Sequence, residues 1–192
     1  MRAHRAQHRV RQFVRVAGAA LAPVDEAYVT GKLAHAVDPP ALLRLFRTMP
    51  RAERHHGVAV SRILERQGHM DRDLHVAALL HDVGKTAAPP HLWERVMVVI
   101  VGHLAPRRAE AWGQMPDCDQ PVPRGLHRAF VVRRHHARWG ARMTAEVGAS
   151  PRAVALIRHH HDALPIGLLG AEDAGGDLDL DLLAALQAAD EA

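Results

Sequence analysis

The stretch ALLHDVGK, residues 78–85, decides the reading of this chain. Three apolar residues run directly into a histidine and an aspartate, followed by a valine, a glycine and a lysine. An imidazole, a carboxylate and a cation at the edge of a buried segment are expensive there unless they are paired or bind a metal. By itself His81-Asp82 could be a capped helix end with Gly84 as the stop. The decision rests on what the rest of the chain can bring to it.

Chain length and composition set the frame. With 192 residues and 48% hydrophobic content, the chain is long enough for one compact domain with a real core. Aromatics are few, three Phe, three Trp and one Tyr, so Leu, Val and Ala must build that core. The only lysines are Lys32 and Lys85, and one of them falls in the opening stretch. A formal charge of +4 does not by itself call for a nucleic-acid partner. The single cysteine, Cys118, excludes an intramolecular disulfide and a thiolate zinc site, and it suits a reducing compartment. The longest apolar run, residues 96–101, is far short of the roughly 20 residues that span a bilayer. Arg15 interrupts the apolar stretch near the N-terminus, which disfavours a signal peptide, so a cytoplasmic location is expected.

Outward from the opening stretch, every strong signal is helical. Asp38 followed by two prolines is an N-cap with a first turn, leading into Leu42, Leu43, Leu45 and Phe46. Pro50 opens a second helix that ends near Gly68, with His56, Val60, Ile63 and Leu64 on one face. A third starts at Asp71 or Asp73 and carries Leu74, Ala77, Ala78 and His81 towards Gly84. Pro89-Pro90 start a fourth, and the three prolines of residues 115–125 mark a loop. A fifth passes through Phe130 and His136 to Gly148. Ser150-Pro151 start a sixth that ends near His161, and a last helix runs from about Asp177. No segment alternates at period two. The expected fold is all-α, with residues 38–192 as the main domain. Residues 1–37 form a basic arm, in which Val10, Phe13, Val14, Ala17 and Leu21 share a helical stripe. The arm is expected to dock as a helix. Binding nucleic acid through it is the less favoured reading.

The sixteen histidines are the outstanding compositional feature, and several come in runs. His56, His81-Asp82, His136, His160-His161 and Asp190 fall on different helices, each beside the apolar face. A helical bundle can gather such residues in its interior. Imidazole and carboxylate together suit Fe, Mn, Co, Ni or Zn. One ion or two could be held, and a carboxylate can bridge a pair that clamps a phosphoryl group, with a metal-bound hydroxide as nucleophile. Lys85 would add positive charge for phosphate oxygens.

The motifs resemble those of the HD-domain metal-dependent phosphohydrolase superfamily, close to its HDIG-type subgroup. HHGVAV resembles the family's first motif, a His followed four residues on by Val, which points to His56 rather than His55. ALLHDVGK resembles the signature His-Asp motif. HARWGA resembles the second-metal motif and points to His136. LIRHHHDA resembles the paired-His motif, with Asp162 where related members often carry Glu, and the triple histidine leaves open which two of His159, His160 and His161 are used. LLAALQAADEA resembles the last helix, whose Asp would be Asp190. The resemblance implies an all-α bundle and a first metal on His56, His81, Asp82 and Asp190. A second metal, bridged by Asp82, would be held by His136, His160 and His161, and Lys85 would contact phosphate. It implies hydrolysis of a small phosphorylated substrate, a nucleotide or other phosphate ester.

The alternatives are a non-catalytic module that binds metal and nucleotide as a sensor or scaffold, and a di-iron oxygenase. The long interval between His81 and His136 marks residues 91–130 as an insertion or lid. After His161 the chain lacks the Gly-Tyr-Pro of the cyclic-di-GMP phosphodiesterases, which argues against that substrate. The His-Thr-Thr of diadenosine-tetraphosphate hydrolases is absent as well.

Overall fold

Aspartate and serine caps start most of the helices. In the computed structural model, which describes residues 23–89, 91–114, 125–162 and 178–192, Asp25 accepts from the Tyr28 amide and begins α1 (Glu26–Leu33). Asp38 accepts from the Ala41 amide and, with two prolines in the first turn, begins α2 (Pro39–Thr48). Pro50 precedes α3 (Arg51–Arg66), which stops at Gly68, whose positive φ lets the His69 amide fold back onto Leu64 O. Asp71 caps α4 (Arg72–Leu80). A 3-10 turn, Val83–Ala87, follows. Then come α5 (Leu92–Leu104), α6 (Pro106–Gly113) and α7 (His127–Glu146). Ser150 caps α8 (Pro151–His159), and Asp179 caps α9 (Leu180–Asp190). No strand occurs among the described residues, so the all-α expectation is met.

α4 is the centre of the bundle. Residues 74–80 are all buried, which is the pattern of a helix apolar on every side. Leu74, Leu79 and Leu80 are fully enclosed, each contributing about 1.5–3 kcal/mol relative to exposure. α1, α3, α8 and α9 surround α4, while α7 packs on α8, on α6 and on the 3-10 turn. Val29 and Leu33 of α1 join the same core as Leu42, Phe46, Leu156 and Leu183.

Three details depart from the sequence expectations. The helix of the opening stretch ends at Leu80 with His81 as its cap, not at Gly84, because the chain tightens into the 3-10 turn. α6 is a short helix that residue periodicity does not reveal. The fourth helix begins after His91, whose amide donates to Glu94 Oε2 at 2.6 Å, while Arg128 holds the same carboxylate at 2.6 and 2.8 Å. The stripe on residues 10–21 lies outside the described residues, as do most of the loop assigned to 115–125 and the Gly/Asp loop before the last helix.

A polar chain crosses the α1–α3–α4 contact. Ser61 Oγ lies 2.9 Å from both Tyr28 Oη and His75 Nδ1, and His75 Nε2 donates to His69 O at 3.0 Å. Lys32 Nζ also lies 3.4 Å from His75 Nε2. Burial, and then the nearby Lys32 ammonium, push the His75 pKa below the ordinary value. A base depressed on folding takes up its proton more readily when unfolded. Its stabilising contribution is therefore complete above about pH 6.5 and shrinks as the pH falls below it. Urea midpoints measured at pH 7.5 and 5.5 should show a loss on acidification that is smaller in His75→Gln. An equal loss in the variant would remove His75 as the cause.

Candidate metal centre

Five chain segments deliver side chains to one buried point. α3 supplies His56, the end of α4 supplies His81 and Asp82, α7 supplies His136, the end of α8 supplies His160 and His161, and the last residue of α9 is Asp190. Two glycines make the approaches possible. A Cβ on Gly57 would stand 2.8 Å from Leu79 O, so α3 lies against α4 and the His56 and His81 rings come to 5.2 Å between centroids. A Cβ on Gly84 would stand 1.9 Å from His136 O, so the 3-10 turn lies directly on α7.

The donor atoms fall into two groups. His56, His81 and Asp82 each offer an atom within 4.8 Å of the others, and so do His136, His160 and His161. Asp82 stands between them: Oδ2 is 3.4 Å from His81 Nε2, and Oδ1 is 3.4 Å from His136 Nε2. Asp190 Oδ1 lies 2.6 Å from His56 Nε2 and 3.4 Å from His81 Nε2. His161 Nε2 is 3.2 Å from His136 Nε2. Lys85 Nζ donates to Asp82 Oδ2 at 2.6 Å and to Glu53 Oε2 at 3.3 Å. All the residues singled out in the sequence therefore meet. His159 falls in neither group, and its Nδ1 pairs with Asp162 Oδ2 at 2.6 Å.

A family model, HD domain, matches residues 54–191. The chain belongs to the HD domain family. No curated protein and no solved structure matches it. HD domains are in general metal-dependent phosphohydrolases, and this one carries the His and Asp groups that could hold a divalent ion.

The hydrogen bonds of this HD domain fit a metal. His81, His136 and His160 each direct Nδ1 at a backbone carbonyl: Ala78 O at 2.9 Å, Val132 O at 3.0 Å and Ile157 O at 2.7 Å. Those bonds orient the rings and turn Nε2 inward, the arrangement that carbonyls behind a metal site give to ligating histidines. The Nε2 atoms of His81 and His160 are buried with no hydrogen-bond partner among the described residues. Buried imidazole nitrogens rarely stay unsatisfied without a reason, and two of them facing the same carboxylate-bearing point fit a cation.

Charge reinforces this. Burial opposes ionisation of Asp82, but Lys85 and His81 outweigh it and hold the carboxyl well below its usual range. Asp190 is likewise lowered against burial, by His56 and His81. Burial, followed by the His81 charge, pushes His160 well below an ordinary histidine. Burial and then His136 bring His161 down to about 4. His81 differs: burial disfavours its charge, yet Asp82 and Asp190 raise it to about 10. Two ionised carboxylates thus draw a proton to the nitrogen that a metal ion would compete for.

Sequence reading missed Glu53. It lies one helical turn before His56 on α3, is only 3% exposed, and anchors Lys85. An acidic residue three positions ahead of a candidate ligand on the same face was the available signal.

Binding to the folded state alone should register as stability. Mn2+ at a hundred times its Kd should add about 2.7 kcal/mol to unfolding of the metal-free protein. In His160→Ala the metal-induced increment should fall sharply. The same increment in the variant would show that His160 is not a ligand.

Proposed function

We propose that this HD domain is a metal-dependent phosphohydrolase acting on a nucleotide or other small phosphate ester. The observation that carries the proposal is the Asp82 carboxylate, which directs one oxygen to each histidine group beside the His81 and His160 Nε2 atoms, neither of which makes a hydrogen bond among the described residues. His56, His81, Asp82 and Asp190 would hold one ion, and His136, His160 and His161 a second that shares Asp82. The donor set suits Fe, Mn, Co, Ni or Zn, because all accept imidazole and carboxylate. When bound, such ions activate water at neutral pH and polarise a phosphoryl group.

The chain's own residues have distinct tasks. The carbonyl-bonded histidines keep their Nε2 atoms aimed inward without reorganisation. Lys85, part-exposed and held by Asp82 and Glu53, would pair with phosphate oxygens. We read residues 91–130 as an insertion or lid, and the cytoplasm as the site of action.

The test is metal analysis of anaerobically purified protein, followed by assay with added Mn2+ or Fe2+ against nucleoside mono-, di- and triphosphates and 4-nitrophenyl phosphate. Bound transition metal and hydrolysis are expected. Absence of both overturns the proposal, and tight nucleotide binding without product would make the domain a sensor instead.

A further inference from the structure

A cleft of about 750 Å3 opens between α5, α6 and α7, within the usual size range for small-molecule sites. His161 lines it, so the cleft reaches the second histidine group. The same wall carries Arg133, Arg134 and Arg138, all on α7 and all exposed. None has an ion-pair or hydrogen-bond partner among the described residues. Arg133 extends to α5, where a Cβ on Gly102 would touch Nη1 at 3.4 Å, and Arg134 lies along α6, where a Cβ on Gly113 would meet its Cδ at 3.4 Å. Two carboxylates also line the cleft, Glu110 and Asp162, but Asp162 is already bonded to His159.

Three guanidinium groups with no partner among the described residues share one concave wall and repel one another, and a concave wall concentrates their field. Their planar donor forks match phosphate oxygens two at a time. The metal centre needs only one phosphoryl group to react. The arginines line the same cleft as His161.

We infer that the cleft is a subsite for a second, non-reacting phosphate, so that the preferred substrates carry at least two phosphates, one at the metal centre and one among Arg133, Arg134 and Arg138. This rests on the hydrolase reading above and adds a substrate class and three specificity-determining residues to it. A substrate with a single phosphate would leave the arginines unused.

The experiment compares inorganic tripolyphosphate with 4-nitrophenyl phosphate on the metal-loaded protein. The kcat/KM ratio should favour tripolyphosphate. In the double variant Arg134→Ala, Arg138→Ala the ratio should fall by about tenfold per arginine, carried by KM. Lysine at the same positions should restore part of it. A ratio that does not change, or equal losses on both probes, overturns the inference. If neither probe is hydrolysed, the hydrolase reading fails, and tripolyphosphate binding to the full chain reads the cleft separately. A Kd about tenfold or more weaker in the double variant, and weakening with salt, supports the subsite. An equal Kd, or no binding at millimolar tripolyphosphate, overturns it.

Discussion

Asp82→Asn should reduce phosphoester hydrolysis by about a thousandfold or more, taking several kcal/mol of transition-state stabilisation as the metal's share and 1.36 kcal/mol per tenfold. The substitution keeps the shape of the side chain and removes its charge. In the native chain one carboxylate serves both histidine groups, at 3.4 Å to each, and also holds Lys85 at 2.6 Å. An amide cannot balance a divalent ion at either group, so metal content should fall together with activity. The bundle should survive: Lys85 is 23% exposed and retains Glu53, and His81 keeps Asp190 at 3.4 Å. Far-UV circular dichroism separates this from unfolding. Full metal occupancy with undiminished turnover in Asp82→Asn would exclude the assigned role. Glu53→Gln should act more gently, raising KM while leaving metal content intact, because it acts through Lys85 and offers no atom to either donor group.

Gly84→Ala should be the most destabilising glycine-to-alanine change among the described residues. Its Cβ would stand 1.9 Å from His136 O and 2.6 Å from Gly140 N. Both are backbone atoms of α7, so no side chain can rotate away. Extra methylenes in a packed core usually cost about 1–3 kcal/mol. Here a whole helix must move, so the loss should exceed about 3 kcal/mol. The displaced turn of α7 carries His136, so metal affinity should fall as well. Two other glycines calibrate the result. A Cβ on Gly140 meets the Gly84 amide nitrogen at 3.2 Å, Val83 Cγ1 at 3.3 Å and Ile157 Cγ2 at 3.4 Å, which predicts a loss of about 1 kcal/mol. Gly31, exposed in α1 with nothing within 4 Å, should gain about 0.5–1 kcal/mol on becoming alanine. Urea denaturation of the three variants checks the order. A Gly84→Ala protein within about 1 kcal/mol of wild type would show that α7 yields more easily than its contacts imply.

The caps show what local sequence can determine. Asp38 with its prolines, Asp71, Ser150 with Pro151, and Gly68 each act within a few residues of themselves, through a side-chain acceptor or a backbone geometry that needs no distant partner. The unbroken burial of residues 74–80 likewise follows from their composition, and with it the all-α class. The candidate donors stand out in the sequence too, because His and Asp beside the apolar faces of separate helices are costly to bury unless they share a partner or an ion, and the resemblance to HD domains named the set. Tertiary structure alone decided the rest. PRRAEAWG of α6 is only eight residues long with Ala109, Ala111 and Trp112 as its apolar side chains after Pro106, and it is helical where Trp112 meets Phe130 of α7 at 5.3 Å. Of the triple run, His160 and His161 stand in a donor group while His159 Nδ1 pairs with Asp162 Oδ2, a division that the run itself leaves open. Gly84 has the local marks of a helix stop, yet its missing side chain matters to α7, a helix more than forty positions along the chain. Local chemistry fixes where helices begin and which residues can ligate; only the meeting of distant backbones fixes how close they come, because that distance is set by atoms on both sides of the contact.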